Sequence, residues 1–213
     1  MNMEIVDRLH AGLASAEHSA IPDFRRLLGD AAWLRLPEAV QARFCASAHA
    51  VDATEYRGSM CVRASLAGRA LAHICRLIGT PVAPWVGDEV NVQVRVFESD
   101  HGIVWERRYE FADRAPVIVR STKALNGDGA LVESLGAGLN MRLEVSEKDG
   151  ELHFVSTGYY FEVAGLRVTL PNWFLPGITR VIHEDLGGGE FRFTMTTDHH
   201  WFGRLYFQQG IFH

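Results

Sequence analysis

From Glu89 onward, apolar and polar residues alternate with a period of two. In NVQVRV, Val92, Val94 and Val96 alternate with Asn91, Gln93 and Arg95, and the rhythm returns in GIVWERRYEF, APVIVRS, LNMRLEV, GYYFEV and EFRFTMTTDH. Successive side chains of a strand point to opposite faces, so each segment predicts a strand with one apolar and one wetted side. Asp100 to Gly102, Asn126 to Gly129, Lys148-Asp149-Gly150, Ala164-Gly165 and Gly187 to Gly189 separate them. These residues suit tight turns, which predicts mostly antiparallel connections. The interruption LPNWFLPGITRVI, with Pro171 and Pro176 around an apolar patch, reads as a loop leading into a short helix.

The first third reads as helix with one embedded strand. Over Leu66 to Ile78, Leu66, Ala70, Ile74 and Leu77 form one stripe, with Arg69, His73 and Arg76 toward water. FRRLLG and LPEAVQARF predict two short helices, Pro37 standing near a first turn where a missing N–H costs nothing. A sheet of this many strands with one apolar face must curl onto itself or be covered. The expected fold is therefore α+β, with N-terminal helices packed on a large, strongly curved antiparallel sheet or partial β-barrel enclosing an apolar cavity. It forms a single domain over residues 1–213, with 1–80 mainly helical and 89–213 antiparallel strands.

Composition narrows the partners. The chain has 213 residues, 47% of them apolar, enough for one domain with a real core. A net charge of −5 without a basic block argues against nucleic acid and anionic membrane surfaces. Glu4 and Asp7 interrupt the N-terminal MNMEIVDRLHAGL, and no segment approaches a membrane-spanning length, so a cytoplasmic protein without membrane insertion is expected. Cys45, Cys61 and Cys75 lack CxxC spacing and companion histidines, and read as reduced packing residues. The adjacent His199 and His200 point to opposite faces of a strand, so no metal is expected. No GxSxG elbow is present, and no GxGxxG follows a strand; no cofactor is expected.

The alternation also exposes three polar residues on apolar faces. Arg107 shares a side with Ile103, Trp105, Tyr109 and Phe111; Glu133 lies with Leu131 and Leu135; His199 lies with Phe191, Phe193 and Met195. A buried charge is costly alone, so Arg107 requires an anion. Glu133 is the available candidate, expected on a facing position of the sheet in a charge-assisted hydrogen bond. One reading is a structural ion pair, or an arginine snorkelling to the rim. The other is functional: Arg107 anchors a carboxylate or oxyanion, with Glu133 and His199 as general base and acid. His199 suits proton transfer better, because a carboxylate held by arginine is a weaker base.

Late aromatic residues, including Tyr159, Tyr160 and Tyr206, read first as core. The Trp173-Phe174 pair, lying between prolines, also fits an aromatic entrance or a homodimer contact. His183-Glu184 follows that patch and fits a pocket mouth or a capped turn. The expected ligand-binding set is Trp105, Tyr109, Trp173, Phe174, His183, Met195 and Trp201.

FRRLLGDAAWLRLPEAVQARF, WERRYEF, ALVESLGAGL, DGELHF, VTLPNWFLPG and HHWFGRLYFQQG, in this order, resemble the bacterial domain-of-unknown-function (DUF) 4166 family. The matching positions are Trp105, Arg107, Glu133, Leu170, Pro171, His183, Glu184, His199, Gly203 and Gly210. The chain departs from the family pattern at His200, where proline is usual, and at Gln208 and Gln209, where Tyr and Arg are expected. Family members stand alone or follow a dehydrogenase-like nucleotide-binding domain. The resemblance thus implies small-molecule metabolism and association with a dehydrogenase-like protein.

Two functional classes follow. One is a pocket for an amphipathic or hydrophobic small organic molecule, with cofactor-independent acid/base chemistry of isomerase, cyclase or dehydratase type. The alternative is a non-catalytic carrier or accessory domain for a lipid-like metabolite. Both need an apolar cavity with an anchor.

Overall fold

The computed structural model describes residues 21–45, 53–77, 82–170 and 175–213, and for 74–77 the backbone alone. The helices are α1 (Phe24–Leu28), α2 (Asp30–Trp33), α3 (Glu38–Phe44) and α4 (Leu66–Leu77). The strands are β1 (Thr54–Ala64), β2 (Gly87–Ser99), β3 (Gly102–Glu110), β4 (Val117–Leu125), β5 (Leu131–Ser134) and β6 (Leu139–Lys148). They continue with β7 (Glu151–Val163), β8 (Leu166–Thr169), β9 (Ile178–Gly187), β10 (Glu190–His199) and β11 (Gly203–Phe212).

Neighbouring strands pair antiparallel in the order β6-β5-β4-β3-β2-β1-β11-β10-β9-β7, and β6 pairs with β7 to close the ring. The result is a closed barrel of ten strands, with β8 as an extra strand on one end of β7. Closure leaves the ring without an open edge. Val90, Val92, Val94 and Val96 of β2 all face inward and are buried, as their alternation predicts. Two hairpins show why their turn residues matter. Asp149 and Gly150 have φ of 54° and 83°, and Ala164 and Gly165 have 52° and 78°. Two successive residues at positive φ match the right-handed twist of the strands they join.

Helices sit at both ends of the barrel. Phe24 of α1 and Phe44 of α3 enter one end, where Phe44 packs on Phe154 at 5.9 Å and stacks on Trp105 at 5.9 Å between ring centroids. At the other end α4 lies against β1 and β11.

Two elements differ from the sequence reading. Residues of ITRVI, expected to begin a helix, form the start of β9 instead. Ile178, Thr179, Val181 and Ile182 are β-branched, and both edges of the strand are occupied, by β10 and β7. The second difference is the inner face of α4. Leu66 is 83% exposed, and Gly68 and Ala72 are buried instead. A Cβ placed on Gly68 would stand 1.9 Å from the carbonyl oxygen of Leu205, so only glycine allows the helix to lie this close to β11. Close approach of the backbone outweighed the larger apolar side chains in choosing the face. Ile74 and Leu77 of the expected stripe have side chains outside the described residues.

Candidate functional site

Between the two helical ends the barrel holds a cavity of about 110 Å³. Its lining includes Leu135, Met141, Val181, Phe193 and Met195 from the barrel wall and Gly68, Leu71 and Ala72 from α4. Charged residues join this apolar lining from three successive strands: Arg107 on β3, Lys123 on β4 and Glu133 on β5.

The ladder explains their meeting. Arg107 lies opposite Val94 on one side and Val119 on the other, so its stem runs between valines. Its Nη2 donates to Ser121 Oγ at 3.3 Å and stands 3.8 Å from Glu133 Oε1, an ion pair too long for a hydrogen bond. Lys123 is directly opposite Glu133, and its Nζ reaches the same Oε1 at 3.2 Å. The side chains of Arg107, Lys123 and Glu133 are 13%, 6% and 7% exposed, so two cations share one carboxylate out of water.

The expected facing contact of Arg107 with Glu133 is thus corrected. They share the inner face, but β4 stands between them and supplies the closer partner. Lys123 was missed because the alternation was followed only through APVIVRS. Carried two residues further, it puts Lys123 on the face of Val119 and Ser121.

Burial pushes the Glu133 carboxyl up, but the charges of Lys123 and Arg107, with the Ser121 hydroxyl, outweigh it and hold the group below the usual carboxylate range. Burial lowers the proton affinity of Lys123; Glu133 opposes the change and Arg107 adds to it, and the net shift is downward. The ammonium also lies 5.1 Å from the Trp105 ring centroid and 5.6 Å from that of Phe154, positions that favour a cation over an aromatic face.

His183 reaches the same cavity from β9. It is 3% exposed, with Phe44, Phe193 and Trp105 rings at 4.9, 5.4 and 5.8 Å. Burial, then the positive charges of Arg43, Lys123 and Arg107, drive its pKa well below the ordinary value, so the imidazole is neutral. Its Nδ1 and the Trp105 Nε1 are buried without hydrogen-bond partners among the described residues. Elsewhere on the wall, Tyr159 Oη, Thr179 Oγ1 and Thr197 Oγ1 form a hydroxyl chain with steps of 3.0 and 3.1 Å.

Other expected site residues lie elsewhere. His199 is buried but is not among the residues lining the cavity. Its Nδ1 accepts from the Trp201 backbone N–H at 3.2 Å, and its ring stacks on His200 at 4.7 Å and tilts against Phe202 at 5.0 Å. The β10–β11 turn thus draws this ring into its own aromatic contacts. Trp201, in the same turn, is 66% exposed. Tyr109 is buried beside the cavity: its hydroxyl donates to Gln208 Oε1 at 3.1 Å, and Gln208 Nε2 donates to the Tyr206 hydroxyl at 3.4 Å. Gln208 thus joins two buried tyrosines beside the cavity. Trp105, His183 and Met195 do line the cavity. Trp173 and Phe174 lie outside the described residues. Among the described residues no group of three His, Cys, Asp or Glu side chains is arranged to hold a metal ion.

The chain belongs to the family described as Domain of unknown function (DUF4166), whose sequence model matches residues 36–212. No curated protein matches the chain.

Proposed function

We propose that this DUF4166 domain binds a small amphipathic organic molecule inside the barrel. The apolar body lies against Leu135, Met141, Val181 and Met195, and the polar end meets Arg107, Lys123 and Glu133. The observation carrying this reading is that two buried cations share a single carboxylate at the wall of an apolar cavity. A network built only for stability satisfies its polar groups, because each unmet donor or acceptor costs free energy. Here Trp105 and His183 line the same space, and Trp105 Nε1 and His183 Nδ1 have no partners among the described residues, which supports a ligand bearing oxygen atoms.

Cofactor-independent acid/base chemistry is the finer part of the proposal. The 3.2 Å contact of Lys123 with Glu133 gives a path for a proton between them; burial makes Lys123 a readier donor, while the two cations keep Glu133 a weak base. This pair takes the acid/base role that the sequence reading gave to Glu133 and His199. The alternative, a carrier for a lipid-like metabolite, requires the cavity to enlarge. A cavity of about 110 Å³ is smaller than the roughly 150 Å³ that encloses one benzene molecule.

The test is an NMR screen of small amphipathic compounds against the wild-type chain and a Val181→Phe variant, whose added ring fills the cavity. Compounds should bind the wild type and be lost from the variant while its unfolding midpoint stays near wild type. Binding unchanged by the filled cavity, or no binding to the wild type, overturns the reading.

A further inference from the structure

We infer that the molecule this cavity takes is a small monocarboxylate. The inference rests on the reading above and specifies its ligand.

The charge count carries it. Arg107 and Lys123 each bring one positive charge and Glu133 one negative, leaving the cluster one positive charge in excess. Transfer of a proton from Lys123 to Glu133 does not alter that total, and a guanidinium stays protonated in proteins. His183, also on the cavity wall, is neutral. Arg43 and Asp185 do not line the cavity; the Arg43 guanidinium lies 3.8 Å from the Phe191 ring centroid and feels the opposite charge of Asp185. An uncompensated charge in an apolar enclosure is costly, and a monoanion removes the cost.

Hydrogen bonding points the same way. A carboxylate is acceptor-only and takes several donors. Trp105 lines the cavity and its buried indole N–H has no partner among the described residues; Lys123 Nζ lies 5.1 Å from the ring centroid and shares one carboxylate oxygen with Arg107. A neutral amide or alcohol fills the same space without matching the charge. The volume sets the body at a short branched chain, smaller than a benzene ring.

The experiment compares isosteric acids and amides on the wild-type chain at neutral pH: 3-methylbutanoate with 3-methylbutanamide, and 2-methylpropanoate with 2-methylpropanamide. Affinities come from titration calorimetry and location from the Trp105 indole N–H resonance, assigned with Trp105→Phe. 3-Methylbutanoate should bind about tenfold or more tighter than its amide and move that resonance. Arg107→Gln should collapse the preference in a folded variant; a preference it leaves intact overturns the assignment. Equal affinity for acid and amide overturns the charge inference and leaves the cavity reading standing. Failure of every probe to bind overturns both, and a carboxylate that binds without moving Trp105 places the site elsewhere. The wild-type comparison decides the matter even if Arg107→Gln does not fold.

Discussion

Lys123 and Glu133 stand directly opposite one another on β4 and β5, and their charged ends meet at 3.2 Å inside the barrel. Arg107 approaches the same carboxylate oxygen from β3, so Glu133 is the centre of the cluster and its two cations are the arms.

This arrangement ranks the costs of its variants. Glu133→Gln strands two buried cations and should destabilise by about 3–5 kcal/mol, whereas Lys123→Met leaves Glu133 with Arg107 and should cost less. The double variant should cost less than the sum of the singles, with a coupling of about 1–3 kcal/mol. Urea unfolding of all four proteins measures this, and additive costs refute a shared cluster.

His183 makes the fold acid-sensitive. Its folded pKa is held well below 6.5, so beneath that pH the unfolded chain binds a proton that the folded chain refuses. Stability should therefore fall with decreasing pH, by up to about 1.4 kcal/mol per unit from this group alone. Glu133 acts in a lower window: its stabilising contribution is complete above its unfolded pKa near 4.5 and is lost as pH falls through its depressed folded value. Unfolding curves between about pH 7 and 5 isolate the histidine. His183→Phe should flatten them, and an unchanged slope assigns the acid sensitivity to other groups.

Gly68 and Leu66 test which face of α4 matters. Gly68→Val puts side-chain atoms against the Leu205 carbonyl and should cost about 1–3 kcal/mol or more as the helix lifts from β11. Leu66→Gln, on the exposed face, should stay within about 0.5 kcal/mol of wild type. The opposite ranking in thermal unfolding restores the stripe read from sequence.

His199→Ala should leave 3-methylbutanoate affinity within about twofold of wild type, because its ring packs in the β10–β11 turn and does not line the cavity. Its effect should appear as a stability loss of about 1–2 kcal/mol from the lost contacts with Phe202 and the Trp201 N–H. A large loss of affinity without unfolding returns His199 to the site.

Much of the site was legible in local pattern. Arg107, Glu133 and Trp105 were placed on inward faces by alternation, and they line the cavity. Lys123 was equally legible had the period been followed past Ser121. His183 carried a weaker signal: the run before it was read as a helix, and its ring environment comes from α3, β3, β7 and β10. His199 shows the limit of the rule. Alternation gives the side of the strand but not the height in the barrel, and a residue at a strand end meets the adjoining turn.

By itself the sequence determined most of the strands, their tight hairpins and inward residues such as Arg107 and Glu133, because these follow from backbone sterics, turn conformations at positive φ and the two-residue period, all local properties. Tertiary structure alone decided that β1 would pair with the distant β11 to complete the barrel, that α4 would present Gly68 to Leu205, and that three charges from neighbouring strands would meet beside an apolar cavity. Those outcomes depend on the accumulated twist of the sheet and on contacts between distant segments, and no local pattern contains them.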